Sequence, residues 1–411
     1  AAPAHALTHG VQPDRRGRPM IPEVDVAVVG AGPVGLLLAC LLRTRGLSVK
    51  VLERRESPSG KSAAIGITPP SLDILRRIGV EEEFLRQGVK VRDCFLHGSS
   101  GPAGKVSFRN IPGPRPFILS LPQAETSAIL RRRLGAEHVL MGCEVTDLIR
   151  EGTASRLIWS TGSLTARHVV GCDGARSRIR ELLGIRAPGA SYRCHFLMGD
   201  FVDRTGMGDE AHLFFRADGS AESFPLPGGM RRWVVQTEAR HEAPAPALLT
   251  ELIRSRTGVS LSSEDQINEA SFTPRRFNCE RYHDGSSALC GDAAHGMSPA
   301  GGQGMNTGFA DAELLAEVLT SRDPDRLLPA YTRYRRKAAG AAIFRAGWGM
   351  ALGTWTGGPL SFARDLILRH LLCRGPIGRR MGPFYAMQTM PYGRLADVPV
   401  PELHATAESY R

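Results

Sequence analysis

What this sequence lacks narrows it first. Its eight cysteines (Cys40, Cys94, Cys143, Cys172, Cys194, Cys279, Cys290 and Cys373) contain no CxxC pair and no paired framework. That argues against a disulfide-stapled secreted fold, and several lie in apolar runs where a free thiol behaves as a small buried hydrophobe. Residues 1–22 have no apolar core, so they do not read as a secretory leader; a flexible tail is expected there, and a reducing cytoplasm as the setting. No stretch is clearly apolar enough to span a membrane. Residues 346–363 carry no charge but include five glycines and Pro359, which predicts a packed or surface-lying helix pair and leaves peripheral membrane contact without support. No His/Cys/Asp spacing suggests a metal site. No repeat or low-complexity tract occurs.

The charge balance is one-sided. With 52 Lys and Arg against 41 Asp and Glu, the formal charge is +11. The cations are scattered, not gathered in one stripe, so no nucleic-acid partner is expected. A positive field of this kind instead attracts small anions such as a dinucleotide, or an acidic carrier protein, although nothing further supports the carrier. A chain of 411 residues exceeds one ordinary core and suggests two interleaved units, as a monomer or homodimer.

The residues from Glu23 to Leu52 read strand, glycine turn, helix, strand. Asp25–Val29 is a short β-branched run, Leu36–Arg45 an apolar helix, and Ser48–Leu52 a second strand ending at Glu53. Residues 70–88 and 122–134 look helical, and 138–172 alternate like a β-meander feeding a buried strand. From about Ser191 to Glu269 short strands (195–202, 211–216, 221–225, 232–237) are joined by Gly and Asp turns, with one helix at 246–256. Ser287–Cys290 returns as a buried strand, followed by a glycine loop and a helix from about Gly304 to Thr320. After Pro329 the chain reads as helical to about Arg374.

Three glycine–acid clusters carry the chemistry. Gly30-Ala-Gly32-Pro33-Val-Gly35 joins a strand to a helix, with Glu53 at the end of the next strand. Gly30 permits the tight turn, Gly32 lets backbone approach a pyrophosphate, and Gly35 lets helix pack on strand. Helix N–H groups then face the phosphates while Glu53 accepts from a ribose hydroxyl. The second cluster, Gly171-Cys-Asp173-Gly174, follows a buried strand. The third, Gly291-Asp292 through Pro299, Gly301, Gly302, Gly304, Met305 and Asn306, follows another strand and opens a helix. An Asp at a strand end can bind a polyol chain, and a glycine run at a helix N-terminus aims several N–H groups at one point. The reduced flavin's N1–C2=O edge needs such an anion-stabilising terminus.

In this order and context the three clusters resemble the dinucleotide fingerprint, Asp-Gly motif and Gly-Asp motif of the single-component (class A) FAD-dependent monooxygenases, the aromatic hydroxylases of the para-hydroxybenzoate hydroxylase type. The resemblance covers roughly residues 23–335 and is weakest across 190–270. It implies an α/β fold: a Rossmann-like FAD-binding domain (23–190 and 271–335, with a β excursion near 90–120), interleaved with an antiparallel β-sheet substrate domain (191–270). A C-terminal helical segment and tail (336–411) follow, as in smaller members without a thioredoxin-like domain. It further implies that Gly30, Gly32, Pro33 and Gly35 hold the pyrophosphate and Glu53 the adenosine ribose. Arg54, Gln123, Val145 and Asp173 join the cofactor contacts. Asp292 takes the ribityl chain, Pro299 lies beside the flavin ring, and Gly302, Gly304, Met305 and Asn306 face its pyrimidine edge. Asp173 reads equally well as a turn residue at a strand end. Ala63 departs from the family, which often has a cofactor-contacting Arg there; Arg54 and Arg55 are the neighbouring cations.

The resemblance implies that NAD(P)H reduces FAD, O2 forms a flavin C4a-hydroperoxide, and one oxygen atom enters an aromatic or polycyclic substrate. The absence of a second GxGxxG fits a nicotinamide that visits without its own domain. A base to ionise a phenol would help, but no residue is assigned: His295 reads as loop support, and His195 and His212 as strand histidines with structural partners. Phe224 and Leu226, alternate residues of one strand, are expected on the substrate wall. Related outcomes on the same scaffold are Baeyer–Villiger oxidation, epoxidation, quinone-ring hydroxylation, reduction or halogenation. The halogenase Trp-x-Trp-x-Ile-Pro segment is missing. A non-catalytic flavin-binding protein is the reading from outside the enzymes.

Overall fold

The β-branched run near the start folds as its side chains favour. Val24–Val29 is a strand, and Gly30 turns it into the helix Pro33–Thr44, where Pro33 stands in the first turn and its missing N–H costs little. This helix is apolar on every side because every side is covered: Leu36 through Leu42 are all buried. The computed structural model describes residues 22–60, 64–241, 247–355, 357–390 and 395.

Val24–Val29 lies mid-sheet between Gly162–Gly171 and Val49–Glu53, parallel to both. Ser287–Leu289 extends the sheet on one side and Val139–Met141 on the other, again in parallel. Asp147–Glu151 and Ala154–Trp159 fold back onto Gly162–Gly171 as the expected meander. Parallel strands buried on both faces need near-continuous apolar sequence, which is how these runs read.

A second sheet has seven strands in the order Gln266–Phe272, His195–Val202, Met230–Thr237, Gly219–Leu226, Ala211–Arg216, Asp93–Gly98, Gly101–Ser107. Its last two strands come from the 90–120 excursion, which sequence reading placed with the first unit. The join is a parallel pairing of Ala211–Phe214 with Cys94–His97, a long-range contact that no local pattern announces. One face packs Leu197, Phe201, Trp233 and Val235 against Leu249 and Ile253 of the helix Leu248–Thr257. The other carries Leu96 and Phe215 against Leu352, Leu368, Leu372 and Met381 of the C-terminal helices.

Other boundaries shift for local reasons. Residues 70–88 form two helices, Pro69–Arg77 and Glu81–Gln87, because Gly79 adopts φ 76° between them. The long helix starts before Pro329, spanning Pro324–Gly353, since Asp323 caps it by accepting from Arg326 N (3.2 Å) and Pro324 suits the first turn. It ends inside the uncharged 346–363 stretch, and Gly358–Ile367 begins another helix there. Among the described residues no helix is long and apolar enough to cross a membrane.

Candidate functional site

The glycines of the first cluster have three different surroundings. Gly30 has φ 108°, and a Cβ there would lie 2.4 Å from the Cys172 carbonyl oxygen. A Cβ on Gly35 would meet the Gly30 carbonyl oxygen at 2.1 Å. Both positions are therefore closed by backbone. Gly32 differs: nothing lies within 4 Å of its would-be Cβ, and it opens its helix without a side-chain cap. Open space beside uncapped helix N–H groups is what an approaching pyrophosphate requires.

The three clusters converge. Gly30 packs on Cys172 and Asp173, while Val34 packs on Gly291 and Gly308. Glu53 closes the first cluster. Its Oε2 accepts from Ala31 N (2.9 Å) and its Oε1 from Arg55 N (3.1 Å), so the carboxylate is held beside the glycine turn. Arg54 is exposed, and Ala63 lies outside the described residues. Gln123 starts the helix Gln123–Leu134 and braces the neighbouring segment, its Oε1 accepting from Ala64 N (3.2 Å). Val145 is buried in the main core.

Asp173 takes the turn role. Its Oδ2 accepts from the N–H groups of Arg178 (2.7 Å) and Ile179 (3.1 Å) at the start of a short helix, and burial raises its pKa. Asp292 accepts no hydrogen bond among the described residues. Its side chain is exposed to solvent yet closely surrounded by protein, as at the floor of a cleft, and that crowding raises its pKa. Such a carboxylate can receive ligand hydroxyls without first breaking an internal bond.

Beyond Asp292, Pro299 is exposed and its carbonyl accepts from Gly302 N (2.8 Å). Gly302 adopts the left-handed conformation (φ 63°, ψ 28°) and opens the helix Gln303–Leu319 without a side-chain cap. Nothing lies within 4 Å of its would-be Cβ. Gly304 is half-buried and Met305 buried. Asn306, fully buried, acts as a clamp: its Nδ2 donates to Gly302 O (2.8 Å) and Gly66 O (2.9 Å), and its Oδ1 accepts from Thr68 N (3.0 Å). Its side chain thus ties the loop together instead of pointing freely at a ligand. Two open, uncapped helix starts and an unengaged Asp make a cradle that fits a dinucleotide flavin.

A buried network that sequence reading missed supports this loop. Asp311 accepts from His295 Nε2 (2.6 Å), Arg335 Nε (2.6 Å) and Gly291 N (3.1 Å). Burial alone would raise the Asp311 pKa, but Arg335 and His295 outweigh it and bring it down to about 2. The signal was present, since Asp311 and Glu313 are charges set among the apolar residues of this buried helix; such residues need buried partners. His295 is accordingly part of the loop's support. His195 pairs with Thr273 (2.7 Å) and His212 with His97 (3.0 Å), and burial lowers the His212 pKa to about 4. Among the described residues no cluster of His, Cys, Asp or Glu is placed to hold a metal ion.

On the second sheet, Leu226 is buried and Phe224 half-buried on one face of Gly219–Leu226. Glu222 shares that face by alternation, directly opposite Leu213 and Val234. The Tyr385 ring reaches the glycine loop: a Cβ on Gly301 would lie 3.1 Å from it.

Residues 23–346 match the family described as FAD binding domain. The chain is 32% identical over 334 residues to rifampicin monooxygenase of Streptomyces venezuelae, covering 77% of this chain and 68% of that protein. It is 32% identical over 344 residues to 12-dehydrotetracycline 5-monooxygenase/anhydrotetracycline 6-monooxygenase of Streptomyces rimosus, covering 78% and 68%. The crystal structure of p-nitrophenol 4-monooxygenase from Pseudomonas putida has the same fold, with TM-score 0.81 at 22% identity, covering 90% of this chain and all of that one.

Proposed function

Because the chain belongs to the FAD-binding-domain family and is an FAD-dependent monooxygenase, we propose that it uses NAD(P)H and O2 to oxygenate a polycyclic or bulky aromatic substrate. The observation that carries this reading is a sheet face with Phe224 and Leu226, backed by a largely apolar cluster, near the flavin-type cradle and linked to it through Tyr385 and Gly301. The names of relatives acting on rifampicin and tetracycline precursors favour a large ring system over a small charged acid.

In this reading Gly30, Gly32, Pro33 and Gly35 admit the pyrophosphate, Glu53 takes the adenosine ribose and Asp292 the ribityl chain. Pro299 flanks the ring, and the N–H groups from Gly302 to Met305 face the pyrimidine edge. Gln123 and Asn306 brace those segments, and Asp173 caps its own turn beside them. When bound, FAD supplies electron transfer from NAD(P)H and activation of O2. The protein's part is to place the cofactor's anionic edge at a helix start, hold the aromatic ring on the sheet face, and keep water away.

The test is the purified protein's visible spectrum, followed by NAD(P)H loss, O2 uptake and peroxide release with candidate aromatics. Expected are a yellow holoprotein and substrate-stimulated oxidation with an oxygenated product. Asp292→Ala is expected to lower FAD retention at least about tenfold, as loss of a charged hydrogen-bond acceptor would. A protein that takes up no FAD, or oxidises NAD(P)H without oxygenating any aromatic, overturns the reading.

A further inference from the structure

Three carboxyl groups among the described residues have pKa values pushed up by burial: Asp173, Asp292 and Glu222. Asp173 is engaged through its Oδ2 by two backbone N–H groups at its own turn. Asp292 stands in the cofactor cradle. Glu222 belongs to neither arrangement, and burial pushes its pKa up to about 7.

The other acids packed inside this sheet have cations. Asp200 binds Arg232 (2.6 and 2.8 Å) and Asp203 binds Arg231 (2.7 Å). Among the described residues Glu222 forms no hydrogen bond or ion pair. Across the ladder it faces Leu213 and Val234. Cys94 on the Asp93–Gly98 strand and Tyr385 on the C-terminal helix Gly375–Tyr385 lie close enough to feel its charge. Cys373 borders both. These neighbours are neutral, and burial raises all three of their pKa values. Arg232, two positions along on the same face, is already held by Asp200. Its side chain is half-buried yet closely surrounded by protein, as in a cleft, so the carboxylate is crowded without being sealed off and remains open to a ligand.

Its position points to a ligand. Glu222 shares a sheet face with Phe224 and Leu226, and Tyr385 is close both to it and to the Gly301 loop, which is assigned to the flavin's edge. We propose that Glu222 is the catalytic base that receives the substrate, accepting a hydrogen bond and then the proton from a ring hydroxyl of a bound polycyclic phenol. This rests on the aromatic-oxygenation reading above. In the transfer the phenol O–H bond breaks, its electron pair stays on the phenolate oxygen, and the proton resides on Glu222. The negative oxygen makes the ring a better nucleophile toward electrophilic oxygen. A carboxylate that titrates near 7 is a stronger base than an ordinary one and nearer to a phenol at about 10, so the transfer costs less.

The experiment uses FAD-loaded full-length protein, wild type and Glu222→Gln, with naphthol as a fluorescent polycyclic phenol. Naphtholate absorbs at longer wavelength than naphthol, so the difference spectrum reads ground-state ionisation of the bound phenol while fluorescence reads affinity. Wild type is expected to bind it with affinity and naphtholate fraction rising as pH passes through about 7. Glu222→Gln, still yellow, is expected to bind about 10–100-fold more weakly and without that pH dependence. Equal binding and the same pH profile in both proteins overturn the proposal, as does a wild-type holoprotein that does not bind naphthol. Failure of the oxygenation reading looks different. Glu222-dependent naphtholate binding without oxygenation of any aromatic removes the reaction but keeps the contact, whereas oxygenation unchanged by Glu222→Gln removes Glu222 and keeps the reaction.

Discussion

The cofactor cradle and the face of the seven-stranded sheet are built by opposite means. The cradle is mostly backbone: glycines at tight approaches, two open helix starts, and acids held by main-chain N–H groups. The sheet face is mostly side chains, brought together from residues as distant as Cys94, Glu222 and Tyr385. Backbone sites tolerate almost no change in residue type at their closed positions, because peptide groups cannot step aside. Side-chain sites tolerate substitution in folding and lose mainly chemistry. If this contrast is right, variants of the two regions should fail in different ways.

The largest effect is expected within the cradle. Gly30→Ala puts a methyl 2.4 Å from a carbonyl oxygen at φ 108°, and Gly35→Ala puts one 2.1 Å from another. Each should cost several kcal/mol, seen as insoluble protein or a melting temperature lower by about 10 °C. Gly32→Ala adds its methyl to open space, so the apoprotein should melt near wild type while flavin absorbance falls. An apoprotein of Gly30→Ala as stable as that of Gly32→Ala would break the distinction between closed and open glycines.

Next comes the network beneath the loop. Asp311→Asn leaves Arg335 buried without its counter-charge and should destabilise by about 3–5 kcal/mol in urea titration at neutral pH. The Asp311 pKa is depressed to about 2 from an ordinary 3.8. Its contribution is therefore fully present above about 4 and is lost as pH falls through about 2. The gap between wild type and Asp311→Asn should narrow over that acid window; a constant gap would show that the carboxylate's charge is not what holds the loop.

The smallest effect belongs to the sheet face. Glu222 is raised, so the stability linked to its protonated form is present below about 4.5 and is lost as pH rises through about 7. Glu222→Gln removes that loss. It should melt with wild type near pH 4 and no lower, by up to a few degrees higher, near pH 8. A variant that melts well below wild type at pH 8 would mean that Glu222 has a structural partner, placing it with the cradle acids.

Much of the cradle was legible in sequence because its geometry is encoded in consecutive residues. Spacing alone brought out Gly30, Gly32 and Gly35, and the strand ends before Asp173 and Asp292. Less legible were side chains whose partners lie elsewhere in the chain. Asn306 reads as a ligand contact until Thr68 and Gly66 are found across from it. Asp173 reads both ways in sequence, and the N–H groups of Arg178 and Ile179 engage its Oδ2 alone. Glu222 had the right parity with Phe224 and Leu226, yet parity does not say which face is dry or what lies over it.

By itself, then, the sequence determined the parallel sheet, the three glycine–acid turns and the family they belong to, because strand periodicity, helix starts and glycine conformations are local properties of the chain. Tertiary structure alone decided that Asp93–Ser107 joins the second sheet, that Asp311 meets His295 and Arg335, and that Tyr385 comes close to both Glu222 and the glycine loop. Each is a contact between residues far apart in the chain. Its energy comes from burial and charge pairing that exist only once the chain has closed on itself.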